Sequence, residues 1–184
     1  MEQLLQMGWT AGKHTQLADY ILSAILHKIK NNIFTQNWFL SGGTTRVIHT
    51  GELLSGTAKF IDINNISEEI HFSEYRSVEP DILLFSTNKY MTNKKRSYFA
   101  GYPNLVIELW SNANTSEERN EKFNLYSLSP TTEHWYIDKP YITVDCWLGN
   151  NKIATHSLHE KLATVQGITI DVHDMVQYLQ GIDE

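Results

Sequence analysis

The sequence predicts an α/β (α+β) fold, a mixed β-sheet flanked by helices with extra β-hairpins attached. Three observations carry that expectation. Leu17, Ala18, Ile21, Leu22, Ile25, Leu26 and Ile29 recur at helical spacing between Thr15 and Lys30. Ile82–Phe85 and Leu105–Trp110 are apolar runs of strand length, rich in branched and aromatic residues. A polar segment with the form of a helix start then separates Trp110 from the strand-like His134–Asp138.

With 184 residues and 41% hydrophobic content, the chain can bury a sizeable core, and residues 1–184 are expected to form one domain. The single cysteine, Cys146, excludes an intramolecular disulfide and suits a reducing compartment; within Ile142–Leu148 it reads as small apolar filling. The stretch MEQLLQMGW has no basic region followed by an apolar core, and no apolar run approaches the ~18 residues that a membrane span needs. The expectation is therefore a soluble, cytoplasmic protein with no membrane partner. A net charge of −6 argues against strong non-specific attraction to nucleic acid but is compatible with a local basic patch.

Taken in order, the first element is the amphipathic helix up to Lys30, which Asn31-Asn32 should end. Ser41-Gly42-Gly43 reads as a turn; it lacks the flanking strand, helix and lysine of a phosphate-binding loop. Arg46–His49, Phe60–Ile63 and Ile70–Phe72 are short β-like runs separated by Gly51, Gly56 and Asn64-Asn65. A polar connection from Ser86 to Ser97 carries Lys89, Lys94, Lys95 and Arg96. Such a run is commonly a solvated loop, yet it hangs between two acid-bearing strands and could face a polyanion there.

Past Trp110, Thr115 followed by Glu118 has the form of a capping box, and the helix it opens should run to about Leu128, before Ser129-Pro130. Glu118, Lys122 and Tyr126 lie along one face of it at i, i+4 and i+8. His134–Asp138 and Ile142–Leu148 read as strands, with Lys152–Leu158 completing a hairpin across Gly149-Asn150-Asn151. A short amphipathic turn around Met175–Leu179 closes the chain.

Polar residues at core positions carry the chemistry. Asp81 opens one apolar run and Glu108 stands inside the other. Burying an ionised carboxylate is costly unless a cation or strong donors compensate it, so two acids on neighbouring strands call for a metal, a bound lysine, or both. The histidines do not build a zinc site: His156 and His159 are three apart in a strand-like segment, and His14, His134 and His173 have no ligand-spaced partner. No G-x-S-x-G elbow is present, and a lone cysteine is weak ground for a thiol nucleophile.

The order Pro80-Asp81, Pro103-Asn104-Leu105-Val106-Ile107-Glu108-Leu109-Trp110-Ser111, Lys122-x-x-x-Tyr126 and His134-Trp135-Tyr136-Ile137-Asp138 resembles the Uma-two family of restriction-endonuclease-like proteins, within the PD-(D/E)xK nuclease superfamily. The resemblance covers Val78 to Asp138 and extends more weakly to His14 and the first helix. It implies a restriction-endonuclease-like core of helix, three strands, helix and strand. It further implies that Asp81 and Glu108 ligate a divalent metal; hard oxygen ligands select Mg²⁺ or Mn²⁺, with the backbone carbonyl of Leu109 as a third ligand. Trp110 stands where the superfamily pattern has its lysine, and Lys122 on the following helix would take that place. The catalytic residues so implied are Asp81, Glu108 and Lys122.

Two readings remain at this point. One is a metal-dependent nuclease acting on DNA, with Lys94, Lys95 and Arg96 on the phosphate backbone; RNA and a homodimer stay open, since cutting a duplex often uses two sites. The other is a non-catalytic module on the nuclease fold, binding a protein or nucleic-acid partner and keeping the same three residues as a buried ion cluster.

Overall fold

The computed structural model describes residues 11–30, 38–42, 46–53, 75–86, 98–138, 143–157, 160–165 and 167–171. In chain order the elements are α1 (Ala11–Lys30), β1 (Trp38–Gly42), β2 (Arg46–Leu53), β3 (Tyr75–Val78), β4 (Ile82–Ser86), β5 (Tyr98–Ala100) and β6 (Leu105–Trp110). They continue with α2 (Ser116–Ser127), β7 (Glu133–Asp138), β8 (Thr143–Leu148), β9 (Asn151–Ser157), β10 (Lys161–Ala163) and β11 (Thr169–Asp171). The fold is thus of the mixed α/β class that the sequence predicts.

The main sheet has six strands in the order β1-β4-β6-β7-β8-β9. Only β6 and β7 run parallel, and α2 is the crossover between them; the other neighbours are antiparallel. A three-stranded sheet, β3-β2-β5, and the β10-β11 pair complete the described β-structure.

Alternation along the strands sends residues to two faces. On one, Ile82, Leu84, Leu105, Ile107, Leu109, Trp135 and Ile137 pack with Leu17, Ile21 and Ile25 of α1 and with Leu162, Ile168 and Ile170 beside β10-β11. Those α1 side chains are at most 1% exposed, and each contributes roughly 2 kcal/mol by burial. On the other face Val106 and Tyr136 pack with Tyr126 and Phe123 of α2, flanked by Trp110 and Trp147. Glu108, lying between Val106 and Trp110, must therefore point to the α2 face.

Some local expectations are corrected. Ser41-Gly42 is not a turn but the end of β1, where Gly42 pairs with Ile82. A Cβ on Gly42 would lie 2.7 Å from Leu22 Cδ1 and 3.4 Å from the Asp81 carbonyl oxygen, so the glycine serves close approach of α1 to the start of β4. The β8-β9 hairpin forms as expected, with Leu148 opposite Asn151 and Gly149 at φ 53° in the two-residue turn. The runs Phe60–Ile63, Ile70–Phe72 and Met175–Leu179 lie outside the described residues. Among the described residues, no helix is long and apolar enough to cross a membrane.

Candidate active site

β4 and β6 pair with Ile82 opposite Ile107, and the same register carried one residue further sets Asp81 beside Glu108. The link from β6 to α2 turns sharply: Asn114 Oδ1 accepts from the Ser111 N–H at 2.9 Å, and Thr115 Oγ1 caps the helix by accepting from the Glu118 N–H at 3.1 Å. The expected reciprocal bond from the Glu118 side chain is replaced by one that accepts from Asn114 Nδ2 at 3.3 Å. With the helix folded back in this way, residues four apart on its inner face reach the same carboxylate.

Lys122 Nζ donates to Glu108 Oε2 at 2.7 Å and Tyr126 Oη donates to Oε1 at 2.6 Å. Asp81 is bound just as fully. Its Oδ2 accepts from the Leu109 N–H at 2.7 Å, and its Oδ1 is 3.0 Å from His14 Nε2. Glu108 is 1% exposed, whereas the Lys122, Asp81 and His14 side chains are 16%, 24% and 34% exposed, so the cluster opens to solvent on the Asp81 side.

The environments drive the two carboxyls apart. Burial lifts Glu108 to about 7, with the Lys122 charge and the bonds from Lys122 and Tyr126 only partly countering it and the Asp81 charge adding to the rise. Burial also opposes ionisation of Asp81, but the His14 bond, the Leu109 N–H and the charges of His14 and Lys122 outweigh it and hold the group below the usual carboxylate range. Burial, then the neighbouring Glu108, push the Tyr126 phenol well above its ordinary value, which keeps it protonated and donating. A pair of acids so separated, one firmly ionised and one able to take a proton near neutrality, is what acid–base and metal sites share.

Next to this cluster, Trp110 makes two ring contacts. Tyr136 stacks on it with centroids 4.2 Å apart, and the Arg119 guanidinium lies 4.7 Å from its ring centre. Arg119 also donates to Asp138 Oδ2 at 3.1 Å and to the Ser111 carbonyl at 2.7 Å. Burial pushes His134 down to about 4, so its imidazole is neutral. Its Nε2–H donates to the Gly149 carbonyl at 2.8 Å, leaving Nδ1 to accept from Tyr136 Oη at 2.8 Å.

Of the residues singled out from sequence, Asp81, Glu108 and Lys122 come together. Leu109 meets Asp81 through its N–H, whereas the atom expected as a ligand was its carbonyl oxygen. Lys94, Lys95 and Arg96 lie outside the described residues. His14 is the site residue that the sequence did not mark as one: ligand spacing is a local pattern, while the partner of His14 is 67 residues away. A usable signal existed, since His14 stands at i−3 from Leu17, a polar ring on the apolar stripe of α1.

No curated protein matches the chain. Among solved structures, a crystal structure of a putative nuclease belonging to DUF820 from Anabaena variabilis superposes with a TM-score of 0.64, covering 92% of this chain and 83% of that one at 14% sequence identity. At that identity the likeness is one of fold. The family model of Uma2, described as putative restriction endonuclease, matches residues 58–175, a span holding Asp81, Glu108, Lys122 and Tyr126 together. The chain therefore belongs to the Uma2 family.

Proposed function

We propose that this protein is a divalent-metal-dependent nuclease that hydrolyses DNA phosphodiester bonds, with Asp81, Glu108 and Lys122 as its working residues. The observation that carries the reading is the Lys122 ammonium lying 2.7 Å from Glu108, beside Asp81, although Trp110 holds the position of the strand lysine. An ammonium brought from another element to two strand-borne carboxylates supplies the same chemistry from a different point in the chain.

The donor set fits a hard cation. Among the described residues no three His, Cys, Asp or Glu side chains gather into a cage. Two carboxylates are present, however, and each bond named to them uses one of an oxygen's lone pairs. Mg²⁺ or Mn²⁺ held by one or two carboxylates, with water and substrate phosphate around it, suits that set, with Asp81 and Glu108 as the holders. When bound, such an ion neutralises phosphate oxygen and lowers the pKa of water.

The chain's own residues then have definite tasks. Lys122 directs its ammonium at the site where phosphate charge builds up, and its flexible stem lets it follow the substrate. Tyr126 keeps Glu108 oriented through Oε1, while Oε2 accepts from Lys122 and keeps one lone pair for a cation. Asp81, the better exposed acid, faces the entering substrate. Lys94, Lys95 and Arg96 are assigned to phosphate contacts; neutralising all three should flatten the salt dependence of DNA binding by ~0.9 log unit per lost contact. An unchanged salt slope would return them to the status of a solvated loop.

One observation favours the second reading, a non-catalytic module: every oxygen of both carboxylates already has a donor from the protein. Calorimetry with Mg²⁺ and Mn²⁺ on the wild type and Asp81→Ala, paired with a nuclease assay on DNA and RNA, separates the two. Metal binding and cleavage that both vanish in Asp81→Ala support the enzyme; a wild type that neither binds metal nor cleaves leaves the module.

A further inference from the structure

We propose that His14 is a positioning residue: by holding Asp81 Oδ1 it fixes the plane of the carboxylate and so sets the affinity of the acidic pair for a divalent cation. The inference deepens the nuclease reading and rests on it.

Asp81 lies one residue before β4, at a bend, and its side chain is 24% exposed. Packing alone therefore leaves its carboxylate free to turn. Two donors restrain it, and they come from different elements onto different oxygens. The Leu109 N–H of β6 takes Oδ2 at 2.7 Å, which anchors one end. A single tether would still let the group swivel about that contact; His14 Nε2, 3.0 Å from Oδ1, is the second tether that removes the swivel. An ionised carboxylate only accepts, so Nε2 carries the proton and donates.

The aim of the ring is itself fixed. His14 shares a side of α1 with Leu17, Ile21 and Ile25, whose complete burial against the sheet sets the rotation of the helix about its axis. α1 thus covers the core and also delivers a donor to the mouth of the site, across 67 residues of sequence. Such outer donors typically govern metal affinity ~10–100-fold by orienting the ligand they touch.

The test is Mn²⁺ calorimetry on the full chain, comparing wild type, His14→Phe and His14→Gln, with thermal melting of each in the absence of metal. Phenylalanine keeps the ring's volume and removes the donor, while glutamine offers an N–H to the same oxygen. Mn²⁺ affinity reduced about 10-fold or more in His14→Phe, largely restored in His14→Gln and with melting temperatures close to wild type, is the expected result. Equal affinity in wild type and His14→Phe overturns the inference and leaves the nuclease reading standing. Loss in both variants makes His14 a packing residue and also overturns it. A wild type that binds no Mn²⁺ removes the nuclease reading, and this inference with it.

Discussion

Glu108 keeps its charge only conditionally. At 1% exposure and pushed to about 7, it is about half ionised at neutral pH, and even that share of charge depends on Lys122 and Tyr126 standing over it. On the proposed nuclease reading, Lys122→Met should abolish cleavage. It should also destabilise the fold by about 3 kcal/mol at pH 8, where Glu108 is left as an uncompensated buried charge. At pH 5 the loss should be clearly smaller, since Glu108 can then take up a proton. Urea titrations at the two pH values measure this, and equal losses would mean that the Glu108 charge is not what Lys122 compensates. Tyr126→Phe removes one charge-assisted bond, with an expected cost of about 2 kcal/mol and no change in the core around it. At this scale the sequence was legible wherever a polar residue interrupts an apolar run, as Asp81 and Glu108 do. For His14 only its place on the apolar stripe of α1 was legible; its partner Asp81 was not, because the contact exists only once α1 and the start of β4 have been brought together.

Among the elements, α2 was readable almost to the residue because its signals are local: Thr115 as the cap, and Ser129-Pro130 just past its end. What holds it against the sheet was not readable, because the grip is tertiary. Arg119 ties the helix to Asp138, to the Ser111 carbonyl and to the Trp110 ring. Arg119→Ala should loosen that grip, costing about 2 kcal/mol, and Arg119→Lys should recover little, because an ammonium cannot match the planar fork and stack at once. Denaturant midpoints of the three proteins give the comparison; full recovery by lysine would reduce the role of Arg119 to bare charge. Ser41-Gly42 misled for the opposite reason. Serine and glycine are turn residues by propensity, but here pairing with β4, Ser41 opposite Leu83 and Gly42 opposite Ile82, overrides it.

For the molecule as a whole, burial of ionisable groups makes stability depend on pH with a definite sign. Glu133 is 1% exposed, its carboxylate accepting from Trp135 Nε1 and the Val165 N–H, both at 2.8 Å. Burial lifts it from 4.5 to about 7, against those two bonds. A raised carboxyl stabilises the fold in its protonated form. That contribution is complete below the unfolded value of 4.5, falls as pH rises, and is gone above about 7. Its size is on the order of 3 kcal/mol, and Glu108 adds to the same slope. His134, depressed to about 4 by burial, works the other way, losing its contribution as pH falls from 6.5 through 4. Glu133→Gln should therefore flatten the decline in stability between pH 5 and pH 8, as read by chemical denaturation; an unaltered slope would place the titrating group elsewhere. The sheet itself was legible in its central strands, whose apolar runs of five or six residues show strand length and composition, though buried on both faces they carry no alternation. β5, β10 and β11, with three residues each, are too short to carry a period and are fixed by their partners.

The filled position at Trp110 also constrains which mutational paths are open to this chain. Placing a lysine there by one substitution would remove the ring on which Arg119 and Tyr136 pack and put a second ammonium on the strand that carries Glu108. Moving Lys122 first would leave Glu108 without its cation. Each order should pass through an intermediate less stable than either end, which couples the lysine on α2 to the tryptophan on β6. Each single variant should be less stable than the pair is with both exchanged, and a double-mutant cycle on Trp110→Lys and Lys122→Met should show coupling of that sign.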